Sequence, residues 1–331
     1  MWTGPLSDDT SKRIAMTSTQ IDTSSASATE PVLKYVTCPG ASKSDAQTHR
    51  MAYWQWGDES NPRILICVHG LSRQGRDFDS VARSLRDQYQ VICPDVVGRG
   101  HSDWLADPKG YQVFSYVSDM VALMQQLRAQ VKATAALDID WLGTSMGGLI
   151  GLGFSTLLAE VSGVKLRKFV LNDVGPKLRF EAMVRIGQYL GQPMRFDNEQ
   201  QAADYLWSIS TGFGPHTPEQ WLALSRPLLR PAPDGQGLVL HYDPALAEPF
   251  KTITEESAVS GEAMLWQVYD ALKCPVLLLR GKDSDLLDID TATSMTQRGP
   301  KAQLIEFEGV GHAPMLNNPT QLEPLKKFLL A

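Results

Sequence analysis

No stretch of this chain is apolar for long enough to cross a bilayer. Its apolar runs, such as Val276–Leu279, fall far short of the roughly 20 residues that a spanning helix needs. Cysteine is scarce. Cys38, Cys67, Cys93 and Cys274 are the four in 331 residues, and no two form a C-x-x-C pair. No histidine–cysteine spacing suggests zinc, so neither a metal nor any other cofactor is expected. Three of the cysteines lie in or beside apolar runs that read as strands. Buried, reduced thiols are therefore expected, which favours a reducing compartment, the cytoplasm. Positive charge is thin as well: 31 Lys and Arg stand against 37 Asp and Glu, a net charge of −6, with no basic cluster. That excludes a nucleic-acid surface. The beginning of the chain has neither the basic start nor the apolar stretch of a secretory signal. Thr17 to Thr29 is nearly all Ser, Thr, Ala, Asp and Gln, a composition that cannot bury enough surface to order itself. Residues 1–30 are expected to be a disordered extension, with Met16 as an alternative start.

What is present is ample for a core: 43% of the residues are hydrophobic, and the length suits one cored domain plus an insertion. Strands are expected near 32–37, 50–56, 63–68, 90–94, 138–142, 166–172, 275–280 and 302–307. Helices are expected near 77–87, 113–131, 146–160, 288–297 and 319–330. Alternation of this kind predicts an α/β fold, a mainly parallel eight-stranded sheet with helices on both faces. Between Gly175 and about Gly261 the alternation stops. Amphipathic segments at 178–191, 199–209 and 218–225, punctuated by prolines, predict a helical cap over 175–261, with the core formed by 31–174 and 262–331.

Residues 141–148, Trp-Leu-Gly-Thr-Ser-Met-Gly-Gly, carry the chemistry. A strand-like run leads into Gly143-Thr144-Ser145-Met146-Gly147, and a helix pattern follows at once. Strand, tight turn and helix is the setting in which G-x-S-x-G presents a nucleophilic serine. A bare match is equally an ordinary helix cap, so the partners decide. A serine hydroxyl needs a base to take its proton. Of six histidines, His312 sits in Glu308-Gly309-Val310-Gly311-His312-Ala313-Pro314, a glycine-rich loop after a strand, and is the candidate. The base needs an orienting carboxylate. The strand ending at Arg280 is followed by Gly281-Lys282-Asp283-Ser284-Asp285-Leu286-Leu287-Asp288. Asp285 is favoured because two leucines behind it would pack it down beside the strand end. Asp283 is its rival, Asp173 at the end of another strand is a further candidate, and Asp288 reads as the start of the next helix. The order serine, acid, histidine is that of G-x-S-x-G hydrolases.

An oxyanion needs two backbone N–H donors. Met146, after the nucleophile, supplies one. Leu71, in the loop His69-Gly70-Leu71-Ser72-Arg73 after an earlier strand, supplies the other, with Gly70 allowing close approach. His69 reads as a prop of that loop by hydrogen bonding rather than a second base. Gly70, Arg73 and Trp104 are candidates for substrate contact. Leu105 stands with Trp104 as pocket wall, and Arg73 is equally suited to a salt bridge with Asp77.

With these motifs in register, together with Pro94-Asp95-Val96-Val97-Gly98-Arg99-Gly100-His101-Ser102, the chain resembles the α/β-hydrolase superfamily from about Tyr53 to its end. It is most similar to bacterial esterase- and lactonase-type members with a helical cap. Many of those relatives place the acid three residues after the strand-end glycine, where this chain has Ser284. The resemblance implies a carboxylesterase-like serine hydrolase that cleaves a small-molecule ester or lactone through an acyl-enzyme intermediate. Carbon–carbon or amide cleavage by the same three residues is the alternative within enzymes. A ligand-binding receptor with little turnover is the alternative of another class. No nucleic acid or membrane partner is expected, and a homodimer is allowed.

Overall fold

The computed structural model describes residues 30–40, 47–130, 137–158 and 161–331. All of the expected disordered extension except Glu30 lies outside the described residues. Among the described residues, eight strands form one sheet. They are β1 (Val32–Cys38), β2 (His49–Trp56), β3 (Arg63–Val68), β4 (Gln90–Pro94), β5 (Leu137–Thr144), β6 (Val164–Asn172), β10 (Val276–Gly281) and β11 (Gln303–Phe307), in the order β1-β2-β4-β3-β5-β6-β10-β11. β2 runs antiparallel to β1 and β4. Every pairing from β4 to β11 is parallel.

Parallel strands are covered on both faces, so they read as unbroken apolar runs. The two faces can be followed along β3. Ile64, Ile66 and Val68 join one apolar cluster, and Leu65 and Cys67 join the other. The helices that cover the sheet are α1 (Asp79–Leu85), α2 (Val113–Gln130), α3 (Met146–Thr156), α8 (Ile289–Gln297) and α9 (Pro319–Leu330). Their starts are chemically marked. The Asp288 side chain accepts from the Thr291 N–H to cap α8, and Asn318 caps α9 ahead of Pro319, each side-chain oxygen satisfying an N–H that the helix leaves free.

This topology positions the site. β5 lies between β3 and β6, and β6 lies beside β10. The loops after β3, β5, β6, β10 and β11 therefore open on one edge of the sheet, the carboxyl edge where open α/β sheets bind ligands.

The insertion that follows β6 carries α4 (Phe180–Tyr189), α5 (Glu199–Ser208) and α6 (Pro218–Ser225). It also carries a small antiparallel sheet, β7 (Arg195–Phe196), β9 (Leu238–Leu240) and β8 (Leu229–Pro231), in that spatial order. Strands of two or three residues are too short to show a period, so the sequence suggested helices alone. The expected cap boundary at Gly261 also needs correction. Gly261 lies inside α7 (Glu255–Ala271), which packs Leu265, Trp266 and Val268 against the main core. A helix-interior glycine weakens a helix by only about 1 kcal/mol, and a 17-residue helix absorbs it.

Trp141 on β5 anchors α3 to the sheet. Its ring stacks on Phe154 at 5.4 Å and meets Phe169 edge-on at 6.4 Å, and Nε1–H donates to the Gly147 carbonyl at 3.1 Å. Trp141→Ala should lower the unfolding free energy by about 3–5 kcal/mol, measured by urea denaturation. Trp141→Phe, which keeps most of the volume, should cost clearly less.

Candidate active site

Ser145 stands between β5 and α3 with φ 51° and ψ −119°, a left-handed backbone conformation that costs a non-glycine residue free energy. Two glycines leave room for the turn. A Cβ on Gly143 would run into the backbone of Gly147, and one on Gly147 into the backbone of Val68. The turn is pinned from the neighbouring strand, where the Ser145 N–H donates to the Asn172 carbonyl at 3.0 Å.

His312 lies in the loop after β11. That loop is held from two sides. The Gly311 N–H donates to the Gly212 carbonyl of the insertion at 2.6 Å, and the Asn172 amide donates to the Pro314 carbonyl at 2.8 Å and to Thr144 Oγ1 at 3.0 Å. Its Nε2 sits 2.9 Å from Ser145 Oγ. Its Nδ1 sits 2.7 Å from Asp173 Oδ2.

The carboxylate beside His312 is thus Asp173, not the favoured Asp285. Asp173 follows β6, is 0% exposed and takes the remaining donors around it. Gly281 N–H donates to Oδ1 at 2.9 Å, and the Ser284 hydroxyl donates to Oδ2 at 2.6 Å. The register explains the exchange. β6 and β10 are parallel neighbours with Asn172 opposite Leu279, so residues just past either strand end stand at the same height. Ser284, where the resemblance implies an acid, donates its hydroxyl to the carboxylate that arrives from the neighbouring strand. Leu286 and Leu287 are buried, but their burial turns Asp285 outward. The Asp285 side chain is 42% exposed and pairs with Arg185 of α4. Asp283 is exposed.

The loop after β3 lies against the serine. A Cβ on Gly70 would come within 3.8 Å of Ser145 Cβ. His69 is fully buried and spans the loop. The Val96 N–H donates to its Nε2 at 2.9 Å, so Nδ1 carries the proton and donates to the Gly70 carbonyl at 2.7 Å. Burial pushes its pKa down to about 3, which keeps the ring neutral. Arg99, also buried, ties the loop to the helix start. Nε donates to the Leu71 carbonyl at 2.8 Å, and Nη2 reaches Met146 Sδ at 3.5 Å. Nothing in the sequence pattern singled out Arg99, because its partners are a carbonyl and a thioether distant in the chain.

Gly70 and Arg73 line a cavity with Ser145 and His312. Arg73 donates from Nε and Nη2 to the two carboxylate oxygens of Asp77, at 2.7 and 2.6 Å. Trp104 does not reach this cavity. It is 41% exposed, lies under the Arg230 guanidinium at 4.6 Å, and lines a separate recess with Arg195 and Pro233. Leu105 packs on the main core. A cavity of about 720 Å³ between α4 and residues 243–253 contains neither Ser145 nor His312. Cys38, His49 and Asp119 bring possible metal ligands within 4.8 Å of one another. They are joined by hydrogen bonds, His49 Nε2 to Asp119 Oδ2 at 3.0 Å among them, and line no cavity with Ser145.

A serine at a strained strand–helix turn, a histidine after the last strand and a buried aspartate between them are the parts of a serine hydrolase. The alpha/beta hydrolase family profile matches residues 65–324, and the chain belongs to that family. It is 49% identical over 300 residues to a 3-hydroxybutyrate-oligomer hydrolase of Cupriavidus necator, an alignment covering 90% of this chain and 97% of that one. It is 25% identical to the pimeloyl-[acyl-carrier protein] methyl ester esterase of Aliivibrio fischeri, over 84% of this chain and 96% of the other. Among solved structures, an alpha/beta hydrolase from Novosphingobium aromaticivorans superposes with a TM-score of 0.74 at 32% identity, covering 91% of this chain and 98% of that one. The chain is a serine hydrolase acting on ester bonds.

His69 makes stability depend on pH in a defined direction. Its pKa is about 3 when folded, against an ordinary 6.5, so the unfolded chain takes up a proton that the folded chain refuses. The stabilisation is full above pH 6.5 and fades as pH falls from there toward 3. The stability advantage of wild type over His69→Asn should therefore shrink between pH 7 and pH 4, as read from denaturant midpoints. An advantage that grows on acidification contradicts a neutral, buried ring.

Proposed function

We propose that the chain hydrolyses short oligomers of 3-hydroxybutyrate, or closely similar hydroxy-acid esters, with Ser145, His312 and Asp173 as catalytic residues. One observation carries the mechanism: the continuous path from Ser145 Oγ through the imidazole, 2.9 Å and then 2.7 Å, to a fully buried carboxylate. The oligomer as substrate rests on the likeness to the Cupriavidus necator hydrolase across nearly the full length of both chains.

His312 Nε2 takes the hydroxyl proton as Ser145 Oγ attacks the ester carbonyl. The oxygen that gains charge is held by the N–H groups of Leu71 and Met146, the two residues that Arg99 ties together. Donors fixed in place before the reaction stabilise the tetrahedral intermediate without reorganising. His312 then gives its proton to the leaving alcohol oxygen as the carbon–oxygen bond breaks. Water, deprotonated by the same nitrogen, attacks the acyl-serine, and the proton returns to Ser145 Oγ as the acid leaves. Asp173 accepts from Nδ1–H throughout, which fixes the tautomer and stabilises the imidazolium. A lactone opens by the same steps, its alcohol and acid ends remaining in one molecule.

The insertion acts as a cap, since α4 and Leu206, Phe213 and Leu240 wall the cavity above Ser145. The cytoplasm suits the cysteines: the Cys67 and Cys93 thiols are hydrogen-bonded neighbours and remain unbridged. No helix among the described residues is long and apolar enough to cross a membrane.

Ser145→Ala should reduce kcat on 3-hydroxybutyrate trimer and on p-nitrophenyl butyrate by about 10⁶ or to background. Asp173→Asn should cost about 10⁴ in kcat, while Asp283→Asn should stay near wild type. A burst followed by sustained turnover of the aryl ester separates an enzyme from a receptor, which would be acylated without turnover. Trimer hydrolysis that survives Ser145→Ala would end this reading.

A further inference from the structure

Ser145 opens on two chambers, which share Leu71 and Ile186 in their walls. The larger, about 410 Å³, is lined by Met146, Leu149, Leu178, Met183, Leu246 and Phe250 among others. The smaller, about 120 Å³, contains His312, Ala313 and Met315 from the histidine loop, and Arg185 and Tyr189 from α4 of the lid.

The chemistry orients an ester across this pair. The leaving oxygen receives its proton from His312 Nε2, so the alcohol half must lie on the His312 side, in the small chamber. The acyl half then extends past Met146 into the apolar chamber. In an oligomer of hydroxy acids the alcohol half is the part that ends in the free carboxylate.

The small chamber has two guanidinium groups. That of Arg73 is committed along one edge, Nε and Nη2 donating to the two oxygens of Asp77, whose side chain is 13% exposed. Arg185 differs. Its side chain is half exposed, and its partner is Asp285, a carboxylate at the lid–core boundary that is itself 42% exposed. An ion pair exposed to this degree contributes little to stability, so a second carboxylate can take the place of the first at small cost. Planar guanidinium is well matched to that exchange, since it accepts a carboxylate in two-point contact.

We propose that Arg185 is the subsite for the free carboxylate of the leaving half, and that Asp285 holds the arginine until substrate displaces it. This rests on the hydroxy-acid reading above and adds a direction to it. The ester bond next to the carboxylate end is the one cleaved. The terminal hydroxy acid departs with the proton from His312, the remainder of the chain stays on Ser145 as an acyl ester, and water releases it. A small chamber closed by a cation fits one short hydroxy acid, so oligomers are shortened from the carboxylate end one unit at a time.

The probe is a matched pair, 3-butanoyloxybutyrate and its primary amide, which share one ester bond and the same acyl half and are compared by release of butyrate. Wild type should favour the free acid in kcat/KM by about tenfold, the scale of one charge-assisted contact. Arg185→Gln should bring the ratio near one, chiefly by raising KM for the free acid. Asp285→Asn should raise the ratio, because the competing carboxylate is gone. Structural damage would move both substrates together and leave the ratio alone. A wild-type ratio at or below one, or a ratio indifferent to Arg185→Gln, overturns the proposal. Trimer labelled at its carboxylate end should release labelled monomer first; labelled dimer first is also contradictory. If the pair obeys these ratios and trimer is untouched, the oligomer reading fails and the carboxylate subsite stands. If trimer is cleaved with no dependence on Arg185, the subsite fails alone.

Discussion

A charge buried at zero exposure must be surrounded by donors, and the site is organised around one such charge. The Asp173 carboxylate has lost all contact with water, which would be prohibitive for a bare anion. A backbone N–H from Gly281, a hydroxyl from Ser284 and an imidazole N–H from His312 replace that water. They come from the end of β10 and the loop behind it, and from the loop after β11. The anion therefore does more than orient a histidine: it draws the carboxyl ends of β6, β10 and β11 together. The parallel register of β6 and β10 makes this possible by setting the aspartate level with the loop that surrounds it.

The rest of the centre is fixed by short covalent distances and by the absence of side chains. The serine stands directly between β5 and α3, and at 143 and 147 the neighbouring backbone leaves no space for a side chain. The loop after β3 is propped by His69 and tied by Arg99 to Met146. Rigid support lies below the serine, and the lid lies above it. The lid's contribution to the His312 loop is a backbone contact from Gly212. Its ionic contribution, Arg185, rests on an exposed partner.

The core strands were legible because parallel strands covered on both faces leave apolar runs bounded by polar turns, and the expected limits agree with the sheet to within a few residues. Ser145 and His312 were legible because each sits in a local pattern, a glycine-flanked serine between strand and helix and a glycine-rich loop before the last helix. The acid was not, since the choice between Asp173 and Asp285 depends on which of two adjacent strand ends supplies the carboxylate, and linear sequence does not encode adjacency. Leucine burial was rightly expected after Asp285, but the turn that buries them points the aspartate to solvent. Trp104 was misplaced for a similar reason: the lid's Arg230 covers it, and lid orientation has no periodic signature. The short strands β7 to β9 left no pattern at all.

The central claim, that Asp173 and no other carboxylate accepts the hydrogen bond from His312 Nδ1–H, is tested most directly by proton NMR. A hydrogen held between imidazole Nδ1 and a buried carboxylate resonates far downfield of the amide envelope and exchanges slowly. A resonance of this kind, distinct from any of the buried His49–Asp119 pair, should persist in Asp285→Asn and disappear in Asp173→Ala and in His312→Ala. A resonance that survives Asp173→Ala but vanishes on changing Asp285 would contradict the claim.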